Sequence, residues 1–250
     1  MEAIFIIGTG RSGTHFTCRS LAGFKNIFDP LQGKEHGQHL SRIARAAIHH
    51  QHYPAKASKY YLCIKNNLGM NQIFVDQHHP NLFFTDTLTD IFPHLIFLYP
   101  DRPIHQIVSS MLKHSGVLTW YEYAKKYEHN RIFRKKPVPF FNQFLGIYES
   151  STLHSYKLHQ LCALRVIAHK NRAVLLKRRG QDVRFINYEN LIMDQRKEFF
   201  SAFTPNELAK LGEFNVAERS QSRSLQKYKE VLSQQQILDI KNIEKTFAIY

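Results

Sequence analysis

Cysteine is scarce in this chain. Its three thiols, Cys18, Cys63 and Cys162, are odd in number and far apart, which excludes a disulfide framework and the paired spacing of a zinc site. They are expected to be buried thiols in a reducing compartment. Acid is scarce too: 20 Asp and Glu stand against 34 Lys and Arg, a formal net charge of +14. That balance favours a polyanionic ligand, nucleic acid or an anionic surface, and by itself does not choose among them or exclude a basic surface that serves only solubility. No apolar run is long enough to span a bilayer, and Met1 leads into neither a basic nor a long apolar leader, so a cytoplasmic location is expected. There is no internal repeat and no low-complexity tract. With 43% hydrophobic residues over 250 positions, one domain with a sizeable core is expected.

Residues 3–7 form a short isoleucine-rich run closed by Gly8, the pattern of a strand buried on both faces of a parallel sheet. A glycine-rich loop follows, then a helix expected over 14–23. A second helix is expected over 37–52, where Leu40, Ile43, Ala44 and Ala47 share a face. Apolar, aromatic or β-branched content predicts further strands at 60–64, 94–99 and 183–188, each followed by helical material. The alternation predicts an α/β fold with a mainly parallel sheet. Residues 115–157 mix aromatics, among them Trp120, Phe140, Phe141 and Tyr148, with basic residues and two prolines, and are expected to form an irregular insertion or lid at an acceptor site. An amphipathic helix over 233–250 closes the chain.

The loop Gly8-Thr9-Gly10-Arg11-Ser12-Gly13-Thr14 carries the first chemistry. A glycine turn from a buried strand into a helix aims several backbone N–H groups into one concavity at the positive end of the helix dipole, which suits a phosphate or phosphosulfate. Arg11 adds charge, and Ser12 and Thr14 add hydroxyls. The loop that binds nucleoside triphosphates reads G-x-x-x-x-G-K-[ST]. Gly8 and Gly13 keep its spacing, but Thr14 and His15 stand in place of the lysine and the magnesium-binding hydroxyl.

These residues resemble the bacterial-type sulfotransferases that use 3′-phosphoadenosine 5′-phosphosulfate (PAPS), whose donor loop reads arginine or lysine, serine, glycine, threonine, as in Arg11-Ser12-Gly13-Thr14. The resemblance implies a three-layer, P-loop-like fold with helices flanking the sheet, and donor contacts from Gly10 through His15. The family's second donor element, an arginine at a strand end with a serine eight residues later, matches Arg102 and Ser110 and would hold the 3′-phosphate. Pro103-Ile104-His105-Gln106 departs from the family's run after that arginine. Tyr188, in Ile186-Asn187-Tyr188-Glu189-Asn190-Leu191, would lie near adenine, and Lys227 and Tyr228 match a basic-aromatic pair that closes over the nucleotide.

The resemblance implies transfer of a sulfuryl group to a hydroxyl or amine acceptor, with release of the bisphosphate PAP and no metal. Arg11 and the loop amides would stabilise the leaving phosphate. For the general base the first choice is Glu35, downstream of the donor loop. His36, Asp29, His78 and His79 are the alternatives, and Gln77 replaces a lysine that relatives carry there. Glu35 has a competing role as the complement of a helix N-terminus. The acceptor is undetermined; a glycan suits the charge, and nucleic acid is not expected. Two other classes stay open: a diverged P-loop kinase, on the Gly8 to Gly13 spacing, and a non-enzymatic basic module for polyanions, on the charge.

Overall fold

The computed structural model describes residues 1–48, 51–118, 156–216 and 225–249. Its elements run β1 (Ala3–Ile6), α1 (Thr14–Leu21), β2 (Ile27–Phe28), α2 (Gly37–Ile48), α3 (Ala55–Asn67), β3 (Ile73–Asp76), a 3-10 turn at His79–Phe83, α4 (Thr85–Ile91), β4 (Leu95–Asp101) and α5 (Ile104–Leu112). After the undescribed stretch come α6 (Leu158–Arg178), β5 (Val183–Asn187), α7 (Tyr188–Met193), α8 (Gln195–Ala202), α9 (Pro205–Leu211), a second 3-10 turn at Lys227–Glu230 and α10 (Gln234–Phe247). The five strands form one sheet in the order β2-β3-β1-β4-β5, with every pairing parallel. In register, Ile4 lies opposite Val75 on one side and Ile96 on the other. This is the expected α/β fold.

All four residues of β1 are buried because helices cover both faces of the sheet. Phe5 stands at the centre of one face, with ring contacts to Tyr61, Phe74, Phe92 and Phe97 at 5.4 to 6.2 Å. Each such ring stabilises the fold by about 1.5–3 kcal/mol through its buried area. On the other face Ile4 and Ile6 pack with Cys18, Leu21 and Phe199. Leu164 and Ile167 of α6 pack against Ile107 and Met111 of α5.

The strand expected at 60–64 is instead part of α3. Buried Ala57 and Tyr61 and partly buried Ile64 and Leu68 recur at helical spacing, while the neighbouring Leu62 and Cys63 are exposed. A strand would have buried alternate residues. The strand in this region is β3, the short run Ile73–Asp76. The helix expected over 37–52 ends at Ile48 among the described residues. Most of the insertion expected at 115–157, with Trp120, Phe140, Phe141 and Tyr148, lies outside the described residues, as does the start of the segment leading to Lys227.

The topology gathers four loops at one edge. The chain leaves β1 into the glycine loop, β3 into His79, β4 into Arg102 and β5 into Tyr188. These are all carboxyl ends of parallel strands, where open α/β sheets bind ligands.

Candidate functional site

The glycine loop is shaped by three unusual backbone positions. Gly8 and Gly13 have φ of 154° and 107°, and Arg11 has φ of 76°, a left-handed conformation that costs a non-glycine residue about 1–3 kcal/mol. A Cβ added at Gly13 would lie 2.2 Å from the Tyr188 ring, so only glycine lets the loop and that ring meet. Thr17 N–H donates to Gly13 O as the first helical bond, leaving the N–H groups of Thr14, His15 and Phe16 without a partner among the described residues. With those of Gly10, Arg11 and Gly13 they form a cluster of unsatisfied donors at the positive end of α1.

Beside this cluster the two expected donor segments are joined. Arg11 Nε donates to Ser110 Oγ at 3.0 Å, and Arg102 Nη1 donates to Arg11 O at 3.2 Å. Gln106 orients Arg102: its Oε1 accepts from Arg102 Nε at 3.2 Å while its Nε2 donates to Glu189 Oε1 at 2.7 Å. The Arg102 guanidinium lies 4.8 Å from the centre of the Tyr188 ring. Tyr188 is placed there because Asn187 ends β5 and caps α7, its side chain accepting from Asn190 N.

These groups open onto a cavity of about 580 Å³, which also receives Glu35, His15 and His79. His79 Nδ1 lies 3.0 Å from Glu35 Oε1, and His15 Nε2 lies 3.7 Å from Glu35 Oε2. Burial pushes the Glu35 carboxyl upward, but the hydrogen bonds of His15 and His79 outweigh it and hold the group well below the usual carboxylate range. Burial lowers the His79 pKa despite the carboxylate, so the ring is neutral near pH 7. A neutral His79 bonded to a carboxylate carries its proton on Nδ1, leaving Nε2 as an acceptor beside Gly10. Gln77, where a lysine was expected from the resemblance, ties the neighbouring loop: its Nε2 donates to Gly33 O at 2.5 Å and lies 3.1 Å from His15 Nδ1.

No protein-family model matches the sequence, and no curated protein matches it. Solved structures do match the fold. The sulfotransferase domain from the curacin biosynthetic pathway superposes with a TM-score of 0.57 at 10% identity, over 98% of this chain and 96% of that domain. The sulfotransferase domain from the Synechococcus PCC 7002 olefin synthase gives 0.51 at 14% identity, over 100% and 95%. This chain has the sulfotransferase fold.

Within the sulfotransferase fold, Gly10, Arg11, Gly13, Thr14, His15, Glu35, Arg102, Ser110 and Tyr188 all line the one cavity. Ser12 does not: its hydroxyl is buried, and its N–H closes a turn onto Thr9 O. His36 is exposed, with its ring against His39 and its N–H donated to His78 Nε2 at 2.9 Å. His78 spends its other nitrogen on Asp76 Oδ1 at 2.6 Å, so neither ring nitrogen is available to a ligand. Asp29 accepts from the N–H groups of Leu31 and Gly33 and lies outside the cavity wall. Lys227 is exposed, and Tyr228 packs on His105 with ring centres 4.3 Å apart; neither lines the cavity.

Arg165 and His114 line the cavity and were not singled out in the sequence. Arg165 projects from α6, a helix whose apolar residues surround most of its circumference and so give no one-sided period. Gly116 and Val117, the start of the expected lid, also reach the cavity.

Proposed function

We propose that this protein is a PAPS-dependent sulfotransferase that passes a sulfuryl group to a hydroxyl or amine acceptor. The observation that carries this reading is the junction of Arg11, Ser110 and Arg102 beside the unsatisfied N–H cluster of α1. Such a donor set suits a ligand with anionic groups at both ends, and PAPS has a phosphosulfate at one and a 3′-phosphate at the other. Thr14 and His15, in place of the lysine and hydroxyl of a triphosphate loop, count against a kinase.

The residues then divide the work. Arg102 and Ser110 hold the 3′-phosphate, with Tyr188 packed behind the arginine. Arg11 and the loop amides hold the 5′-phosphate and stabilise the charge that grows on it as the sulfur–oxygen bond breaks. That bond's electron pair stays on the departing phosphate while the acceptor oxygen or nitrogen bonds to sulfur. His79 Nε2 takes the acceptor's proton, and Glu35 fixes the ring in the Nδ1–H tautomer and stabilises the imidazolium that forms. This moves the base from Glu35, the first choice on sequence, to its hydrogen-bond partner: the carboxylate is held too acidic to be an effective base, whereas His79 is neutral and has an open lone pair.

Calorimetric titration with PAP tests the donor half. Binding that weakens in Arg102→Gln is expected; a folded protein that binds no PAP at millimolar concentration overturns the proposal. Formation of PAP from PAPS on addition of an acceptor tests the transfer.

A further inference from the structure

Three consecutive residues after β3 grip one short segment before α2. Gln77 Nε2 donates to Gly33 O at 2.5 Å, His78 Nε2 accepts from the His36 N–H at 2.9 Å, and His79 Nδ1 meets the Glu35 side chain at 3.0 Å. Glu35 is therefore held twice, its carboxylate by His79 and the peptide group that follows it by His78. Residues 34–36 belong to no helix or strand, so contacts of this kind, rather than a regular backbone ladder, set where the carboxylate stands.

The grip of His78 depends on its tautomer. To accept from a backbone N–H its Nε2 must be bare, so its proton has to sit on Nδ1. Asp76 enforces that arrangement. Its Oδ1 lies 2.6 Å from His78 Nδ1, and its Oδ2 accepts from the His78 N–H at 2.9 Å, Asn81 Nδ2 at 3.0 Å and the Tyr61 hydroxyl at 3.1 Å. Asn81 also donates to the Tyr61 hydroxyl and accepts from that of Tyr53. Asp76, His78, Tyr61 and Asn81 are all buried. With its members partnered such a network is rigid, whereas a lost partner leaves a buried polar group unpaired. Neither Asp76 nor His78 lines the cavity, so their effect on the site passes through the residues they hold.

We infer that Asp76 and His78 are positioning residues: by fixing the peptide between Glu35 and His36 they place the Glu35 carboxylate against His79, and so keep the cavity-facing nitrogen of His79 free to take a proton. This inference rests on the sulfotransferase reading for what His79 does, whereas the tautomers are measurable without donor or acceptor. Asp76→Asn separates it from a merely structural role. An amide has one oxygen, and the three donors at the Oδ2 place claim it. Its NH2 group then faces His78 Nδ1, which turns His78 to the Nε2–H tautomer and sets that proton against the His36 N–H.

The test is nitrogen-15 NMR of the histidine rings at about pH 8, where an imidazole is neutral. In wild-type protein His78 and His79 should both carry Nδ1–H, with a scalar coupling across the bond from the His36 N–H to His78 Nε2. Asp76→Asn should move His78 to Nε2–H and lower the ratio of Nδ1–H to Nε2–H in His79 about tenfold or more, the scale of one charge-assisted hydrogen bond. Glu35→Ala should lower the His79 ratio likewise. In the Glu35→Ala background Asp76→Asn should change it no further, since both substitutions remove one interaction. His78→Gln, whose amide oxygen can stand in for Nε2, should keep more of the wild-type ratio than His78→Ala. PAP affinity, measured by calorimetry, should be unchanged in Asp76→Asn. The inference is overturned if either ring of the wild-type protein carries its proton on Nε2, or if the coupling to the His36 N–H is absent, outcomes that need no variant to fold. It is equally overturned if His79 keeps its ratio in Asp76→Asn, if that ratio falls as far without Glu35 as with it, or if PAP affinity falls too. Failure of wild-type protein to bind PAP overturns the sulfotransferase reading alone, because the spectra need no ligand.

Discussion

His79 turns one ring nitrogen to Glu35 and the other to the cavity: Nδ1 lies 3.0 Å from Glu35 Oε1, and the Nε2 edge faces Gly10. A carboxylate behind an imidazole does two things, fixing which nitrogen keeps the proton and stabilising the charged ring after it takes a second one. Only the first is needed for binding, and both are needed for turnover.

Replacing His79 by Ala is therefore expected to lower kcat by about 10²–10⁴-fold, the usual contribution of a general base, with PAP affinity retained. Glu35→Gln should cost less. The pH dependence separates the two roles. Activity rises with pH as His79 loses its proton, and because burial lowers its pKa that limb lies below the ordinary imidazole value. Glu35 opposes that lowering, so its replacement by Gln should move the limb to still lower pH while reducing the plateau. A kcat/KM profile of both variants checks this, and an unshifted limb in Glu35→Gln would detach the carboxylate from His79.

Arg102 and Ser110 should contribute unequally to donor binding. Arg102→Gln removes a half-buried charge from an anion site, worth about 1.5–3 kcal/mol, or roughly 10–100-fold in PAP affinity. Ser110→Ala removes a neutral hydroxyl that also accepts from Arg11, and is expected to cost about 0.5–1.5 kcal/mol, less than roughly tenfold. Calorimetry at two salt concentrations discriminates further, since only the arginine variant should flatten the salt dependence.

Much of this site could be seen in the sequence because local chemistry fixes it. The loop from Gly8 to Thr14 carries glycine at two of its three positive-φ positions, Gly8 and Gly13, and Arg102 and Ser110 keep their separation because one follows a strand and the other lies on the next helix. What could not be seen depends on contacts between distant segments. His78 and His79 are adjacent and chemically alike; the structure separates them because Asp76 and the His36 N–H occupy both nitrogens of His78. Arg165 was hidden for a related reason: a helix buried around most of its surface offers no amphipathic stripe from which one polar side chain would stand out. The residues 60–64 misled because two tyrosines, a leucine, a cysteine and an isoleucine in a row satisfy a strand's composition, and only burial shows the helical period.

Gly13→Ala tests the backbone rather than the charges. The new Cβ would overlap the Tyr188 ring at 2.2 Å and hold a non-glycine residue at φ of 107°. Tyr188 must then move, taking with it the ring on which Arg102 lies. The variant is expected to lose more than about 1 kcal/mol of stability and to bind PAP more weakly. Tyr188→Ala in the same background gives the control: by clearing the overlap it should recover part of the stability lost to Gly13→Ala, measured as Tm, without restoring PAP affinity.

Far from the cavity, Arg184 links β5 to α9 by bonding Glu207 through both its Nη atoms, at 2.8 and 2.7 Å, and Asp182 at 2.8 and 2.7 Å. The hydrogen bonds from Arg184 hold the Glu207 pKa at about 2, against an ordinary value of 4.5. A carboxyl whose folded pKa is depressed favours the folded state above its unfolded pKa, and that contribution fades as pH falls from about 4.5 through about 2. Solvent around this pair screens it, so the effect on Tm at neutral pH is small. Glu207→Gln should therefore lower Tm modestly at pH 7 and converge with wild type as pH falls below about 2, where both present a neutral side chain to Arg184. If the difference in Tm instead stays constant across that range, the Arg184 pair is not what links α9 stability to pH; the capping box with Thr204 is kept in this variant, because glutamine also accepts from the Thr204 N–H.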